Sequence, residues 1–300
     1  MTAWPPPRRA PILVASAILL AACAGPGASG PIEHPADDSL VFRVSTQGGF
    51  IGPNVIFTSF PGFSLQGDGR VIEPGAQPAI YPGPALPAVN VRGLTELGIQ
   101  LVLEEVLRSG VFASSAEYRG AQNVVMDAPD TVFTMHADGR QVTVLVYALG
   151  ILEPGTAAGR VTAKELAVHA ALVHLSGRLT SLDAWVPASA WSDPRWTAFR
   201  PAALRLLVRN ADADPPDSSG IPSQLVAWPT SDDPATFGDP VSAIPGSRCG
   251  VVSGPDATAW YEALSRANQL TRFTHAGHRY DVTVRFLLPD EELTCPDRLI

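Results

Sequence analysis

The chain has 300 residues, 46% hydrophobic and 17% charged, enough apolar material for a sizeable core of two or three small domains or one repeated assembly, and too much for a disordered protein. Its formal net charge of −8 argues against nucleic acid as a partner and against an electrostatic hold on anionic lipid.

At the amino terminus, Arg8 and Arg9 precede an apolar run from Pro11 to Leu20 that ends in Leu20-Ala21-Ala22-Cys23. A basic start, about a dozen apolar residues and small residues before a cut site are the parts of a secretory signal, and the run is too short to span a bilayer. The last four residues resemble the lipobox of bacterial lipoprotein precursors. That resemblance implies a diacylglycerol on the Cys23 thiol, removal of residues 1–22 and a mature chain starting at Cys23. Two or more acyl chains, at ~0.8 kcal/mol per buried CH₂, would make the membrane its first partner. Loss of Arg8 and Arg9 takes the net charge from −8 to −10, so lipid and not surface charge is the anchor. Residues 23–39 open with Ala24-Gly25-Pro26-Gly27-Ala28-Ser29-Gly30-Pro31 and read as a flexible tether with a reach of roughly 20 Å.

Three places then repeat one grammar, a short strand, a tight turn with Gly second, and another strand. Residues 40–209 hold the first two. Phe63 to Gln66 leads through Asp68-Gly69 to Val71-Ile72, and Val132 to Met135 leads through Asp138-Gly139 to the run Val142 to Tyr147. Each hairpin is followed by a helical pattern. Leu94, Leu97, Leu101, Val102 and Leu107 form the first stripe, stopped at Gly110. The second starts at a capping box, Thr162 and Glu165, and continues through Leu166, Ala170, Val173 and Leu182. Pro201 to Arg209 reads as one more strand. Residues 210–248 are rich in Pro, Asp, Ser and Gly and read as surface loops around one short strand, Leu225 to Trp228, and as the domain boundary. Residues 249–300 form the last unit. Gly250 to Gly254 is expected to turn into a helix capped by Asp256, with Trp260, Leu264 and Ala267 on one face. The third hairpin runs from Thr271 to Phe286 around Ala276-Gly277. The expected fold class is α+β, with three similar units, each an antiparallel hairpin paired with a helix, packed together.

With Cys23 committed to lipid, Cys249 and Cys295 are an even number in a chain sent to an oxidising compartment, which makes a disulfide the default. Nucleophile elbows, phosphate loops, dinucleotide fingerprints and zinc signatures do not occur in the sequence. His275 and His278 flank a turn, His169 and His174 sit on different faces of a helix, and Asp212, Asp214 and Asp217 lack the glycine and glutamate of a calcium loop. No metal or other cofactor and no catalytic residue is therefore assigned. Pro289-Asp290-Glu291-Glu292 reads as a turn with carboxylates facing water. Trp185, Trp191, Trp196 and Trp228 are candidate ligand-stacking residues for a glycan or protein of the envelope, although the same rings serve equally well as a roof over a sheet.

Phe63 to Ile72, with its Gly-Asp-Gly-Arg turn, and Tyr280 to Cys295, with Leu287 to Glu291 before a cysteine, are similar to a loosely defined group of secreted or lipid-anchored bacterial proteins of unknown function. The resemblance carries no activity. The expected protein is lipid-anchored at the cell membrane, outside the cytoplasm, as a non-catalytic binding or scaffolding module. The alternative is a hydrolase of cell-wall polymer with a site in a cleft between units.

Overall fold

Phe63–Gln66 (β2) and Arg70–Pro74 (β3) form the first hairpin, and Asp130–Ala137 (β6) and Arg140–Tyr147 (β7) the second. In the second turn both Asp138 and Gly139 have positive φ, 51° and 64°, the twist a two-residue hairpin loop needs. The computed structural model describes residues 1–2, 30–152 and 159–295, and it separates Met1–Pro31 from a second unit, Ile32–Ile300. Cys23, the signal around it and tether residues 24–29 lie outside the described residues. Part of the expected tether is folded. Gln100 both donates to Ile32 O (2.9 Å) and accepts from Ile32 N (2.8 Å), and Gly67 N–H donates to Ser39 O.

Leu40–Gln47 (β1) lies between the two hairpins, antiparallel to β2 on one side and β6 on the other. Both hairpins consequently share an eight-stranded sheet with Val89–Gly93 (β4), Ala116–Tyr118 (β5) and Thr197–Ala198 (β8), in the order β5-β7-β6-β1-β2-β3-β4-β8. One face buries Phe42, Phe63, Leu65, Phe133 and Met135. Glu96–Arg108 (α2) covers it with Val102, Leu103 and Val106, and Ala163–Leu179 (α3) with Leu172, Leu175 and Leu179. α2 gives way to Gly110 at φ 71°, as expected of a left-handed residue past a helix end. Half of the expected capping box forms on α3: Thr162 Oγ1 accepts from Glu165 N–H at 3.2 Å, but the Glu165 carboxylate accepts instead from Gly120 N–H at 2.5 Å.

His169 on α3 is buried, its Nε2 has no hydrogen-bond partner among the described residues, and burial lowers its pKa from 6.5. A histidine held neutral in the fold favours unfolding once the unfolded chain can bind the proton. Stability contributed by this site is present above pH 6.5 and lost as pH falls. His169→Leu, which removes an unpaired polar atom from an apolar site, is expected to raise the urea midpoint at pH 5 more than at pH 7.5.

The third hairpin, Arg272–His275 (β13) with His278–Phe286 (β14), belongs to a separate six-stranded sheet built on Ala203–Asn210 (β9) and Ser247–Ser253 (β12). Its order is β10-β13-β14-β9-β12-β11, where Leu225–Ala227 (β10) and Asp239–Pro240 (β11) are short edge strands from the Pro-rich stretch. The fold is thus α+β with four helices and 14 strands among the described residues, arranged as two sheets and not as three similar units. β1 is what merges the first two hairpins. Gly250 to Ser253 is strand and not turn, because its backbone pairs with β9, and the helix after it, Gly254–Ser265 (α4), is capped at Ser253, which leaves Asp256 in the first turn.

Trp260 and Leu264 of α4 cover one face of this sheet, over Leu204, Leu206, Val208, Val284 and Phe286, and Ile72 of β3 joins the same core. The opposite face holds Leu207 and Cys249 against Phe57 of Pro53–Thr58 (α1). Cys249 is bonded to Cys295, with 6.0 Å between their Cα atoms across a sequence separation of 46. Among the described residues no helix is long and apolar enough to cross a membrane.

Candidate functional site

The four tryptophans fall into two structural settings. Trp228 is 7% exposed and boxed in by Trp260 at 4.6 Å between ring centroids, with Phe237, Phe273 and Tyr280 around it, so both of its faces are spent on the second core. Trp191 is buried at the rim of the first core, with the Arg92 guanidinium 3.7 Å above it and Trp196 edge-on at 5.8 Å. Trp185 and Trp196 are half-buried. Trp185 Nε1 donates to Arg178 O, and the Arg178 guanidinium lies over its ring; Trp196 Nε1 donates to Asp183 Oδ2. Trp191 and Trp196 therefore sit at the β4-β8 end of the eight-stranded sheet, Trp191 bridged to Leu94 and Trp196 just before β8.

Glu73 of β3 is half-buried within reach of the Asp183 charge. Burial, and then the negative charge of Asp183, pushes its pKa from 4.5 up to about 7. Asp183 itself accepts from Arg92 and from Trp196. A carboxyl whose pKa is raised in the fold contributes stability that is present below pH 4.5 and lost as pH rises through about 7. Glu73→Gln is expected to abolish that loss. Urea midpoints of the variant should change less than those of the wild type between pH 5 and 8.

Several other titratable groups are committed to ion pairs. Asp290 and Glu291 do not face water as expected. Asp290 Oδ1 accepts from Arg43 Nη2 (2.6 Å) and Gln66 Nε2 (3.2 Å), and Glu291 forms a two-pronged pair with Arg285 (2.7 and 2.8 Å). Although burial raises the Glu291 pKa, the Arg285 hydrogen bonds outweigh it and hold the carboxyl below its ordinary range. Two arginines placed on strands by alternation, one in each sheet, pull this turn inward. Arg43 carries a charge in the middle of an otherwise apolar run, a signal that it needed a buried partner. Asp212, Asp214 and Asp217 each turn to a different partner: His278, Arg209 and Tyr81. Among the described residues no three His, Cys, Asp or Glu side chains converge as metal ligands.

One concavity with recognition chemistry is a groove of about 390 Å³ beside β14. Thr58 and Gln77 line it on one side, Asn268 and Thr271 on another, and Pro84 and Leu86 form an apolar wall. Asp281 is the acid in its lining, and its carboxylate is already paired with Arg209 (3.2 Å) and Arg272 (3.3 Å). The groove exists because β13 begins only at Arg272. Before it, Asn268 and Thr271 fold the chain aside: Leu270 N–H donates to Asn268 Oδ1 and Asn268 N–H to Thr271 Oγ1, both at 2.9 Å. Such Asx-type turns divert backbone from a ladder. Alternation identified β14 as a strand, but nothing in a single strand's sequence says where its neighbour stops. Comparison with protein-family models, curated proteins and solved structures finds no match to this chain.

Proposed function

We propose that the chain is a lipid-anchored protein of the cell envelope, held at the membrane through Cys23 outside the cytoplasm, and that it acts there as a non-catalytic binding or scaffolding module for an envelope glycan or protein. The observation that carries the binding reading is the lining of the β14 groove. Its amides, hydroxyls and aliphatic walls suit recognition, and its one acid, Asp281, is neutralised by two arginines. The lipobox resemblance supports the anchor. A disulfide between Cys249 and Cys295 fits an oxidising compartment.

Palmitate labelling in a bacterial host, combined with cell-wall sacculi as a probe, tests both halves. Label should enter the wild type and not Cys23→Ser, and the detergent-solubilised protein should sediment with sacculi or an envelope protein without releasing soluble fragments. Failure of the wild type to take up label contradicts the anchor. Release of fragments favours the alternative reading, a cell-wall polymer hydrolase. One observation speaks for that alternative: Glu73, with a pKa near 7 beside Asp183, has the proton affinity of a general acid. Release abolished by Glu73→Gln would establish it.

A further inference from the structure

β14 pairs with β9 from Tyr280 to Phe286, and the hydrogen-bonded partners are the odd-numbered residues: Ala211 N–H donates to Arg279 O, and Leu287 N–H donates to Ala203 O. In an antiparallel ladder the alternate residues turn their N–H and C=O to the opposite edge. Tyr280 uses that edge to meet Phe273 of β13. Val282 and Val284 come next, where β13 has turned away, and their main-chain groups point into the 390 Å³ groove. No described residue pairs with either on this side. Val284 is only 5% exposed, and a buried amide without a partner is unfavourable by about 1–3 kcal/mol.

We infer that this edge of β14 is a binding site for an extended polypeptide segment, which joins the six-stranded sheet as an added strand by exchanging main-chain hydrogen bonds with Val282 and Val284. The inference rests on the reading of the chain as a binding module and is independent of the anchor. The spacing of the two valines calls for a ligand strand of three or four residues, about 10–13 Å long. Side chains opposite Val282 and Val284 share the face of Leu264 and Phe273 and meet apolar surface; the intervening ones meet Thr58 and Thr283. The recognised segment therefore alternates apolar with polar residues. A sugar polymer has no regular N–H and C=O ladder to match this edge, which is why a polypeptide is the ligand.

Val282→Pro separates this account from others. Its N–H faces the groove and not β9, so proline there removes a groove donor without removing a ladder bond, and the circular dichroism and melting temperature should stay those of the wild type. Random phage-displayed peptides of about nine residues, panned against the detergent-solubilised full chain, should yield alternating sequences that lose at least tenfold in affinity on Val282→Pro. N-methylation of the selected peptides at the amides that pair with the edge should abolish binding, and at the intervening amides should not, a readout that holds even if the proline variant fails to fold. Absence of selected binders overturns the inference, as do binders indifferent to both N-methyl registers, or a concentration-dependent dimer of the chain that Val282→Pro dissolves. Retained binding to sacculi in those cases leaves the module reading standing and removes only the peptide site; loss of both removes the two together.

Discussion

Replacing Trp260 with alanine is expected to remove about 3–5 kcal/mol of stability, a large part of what a domain of this size possesses. The side chain is fully buried on α4 and stands against Trp228 at 4.6 Å and Phe273 at 4.9 Å, so its loss opens a cavity among rings that cannot collapse into it. Together with Leu264 it packs α4 against the six-stranded sheet. The Trp260 Nε1 proton has no acceptor among the described residues. Trp260→Phe therefore discards an unsatisfied donor while keeping most of the ring, and should be markedly milder than alanine. Guanidinium unfolding of both variants checks this. A loss below about 1 kcal/mol for alanine would mean that the helix and sheet are not packed as described.

Removing the disulfide as the pair Cys249→Ala and Cys295→Ala is expected to be comparably severe. For cysteines 46 residues apart the chain-entropy relation gives about 4 kcal/mol. Alanine is the better replacement at position 249, because a serine hydroxyl would sit unpartnered beside Phe57 and Leu207. The consequence should be regional as well as global. The segment 287–295 carries Asp290 and Glu291 to Arg43 and Arg285, so amide hydrogen exchange in that segment and around Arg43 should accelerate first. Unchanged exchange there, with an unchanged unfolding midpoint, would show that the bridge holds nothing that the ion pairs do not.

Local signals made the hairpins readable. Asp138-Gly139 and Ala276-Gly277 form turns between alternating strands, and Ala276 and Gly277 both adopt the positive φ that such turns require. α2 was readable from its stripe and from Gly110, and α3 from its stripe and Thr162, whereas the short α1 carries no such stripe. What the chain does over long distances was not. β1 has an alternating segment of its own but no turn signal, and the sequence does not say that it inserts between two hairpins and fuses them into one sheet. The tryptophans were legible as a group and not by role, since Trp228 is separated by 32 residues from Trp260, which packs against it. The groove was illegible for a related reason. It depends on a side-chain turn at Asn268 and Thr271 that removes a neighbour from β14, and the unpaired edge lies on residues whose sequence is that of any buried strand.

The anchor is the claim on which the proposed role depends, and a mass spectrum of the natively expressed protein tests it most directly. The next Lys or Arg after Cys23 is Arg43, so trypsin should release Cys23–Arg43 as the amino-terminal peptide. That peptide should carry the mass of a diacylglycerol on sulfur. An unmodified Cys23 thiol, or an intact peptide running from Ala10 through Arg43 in the mature protein, would contradict the account.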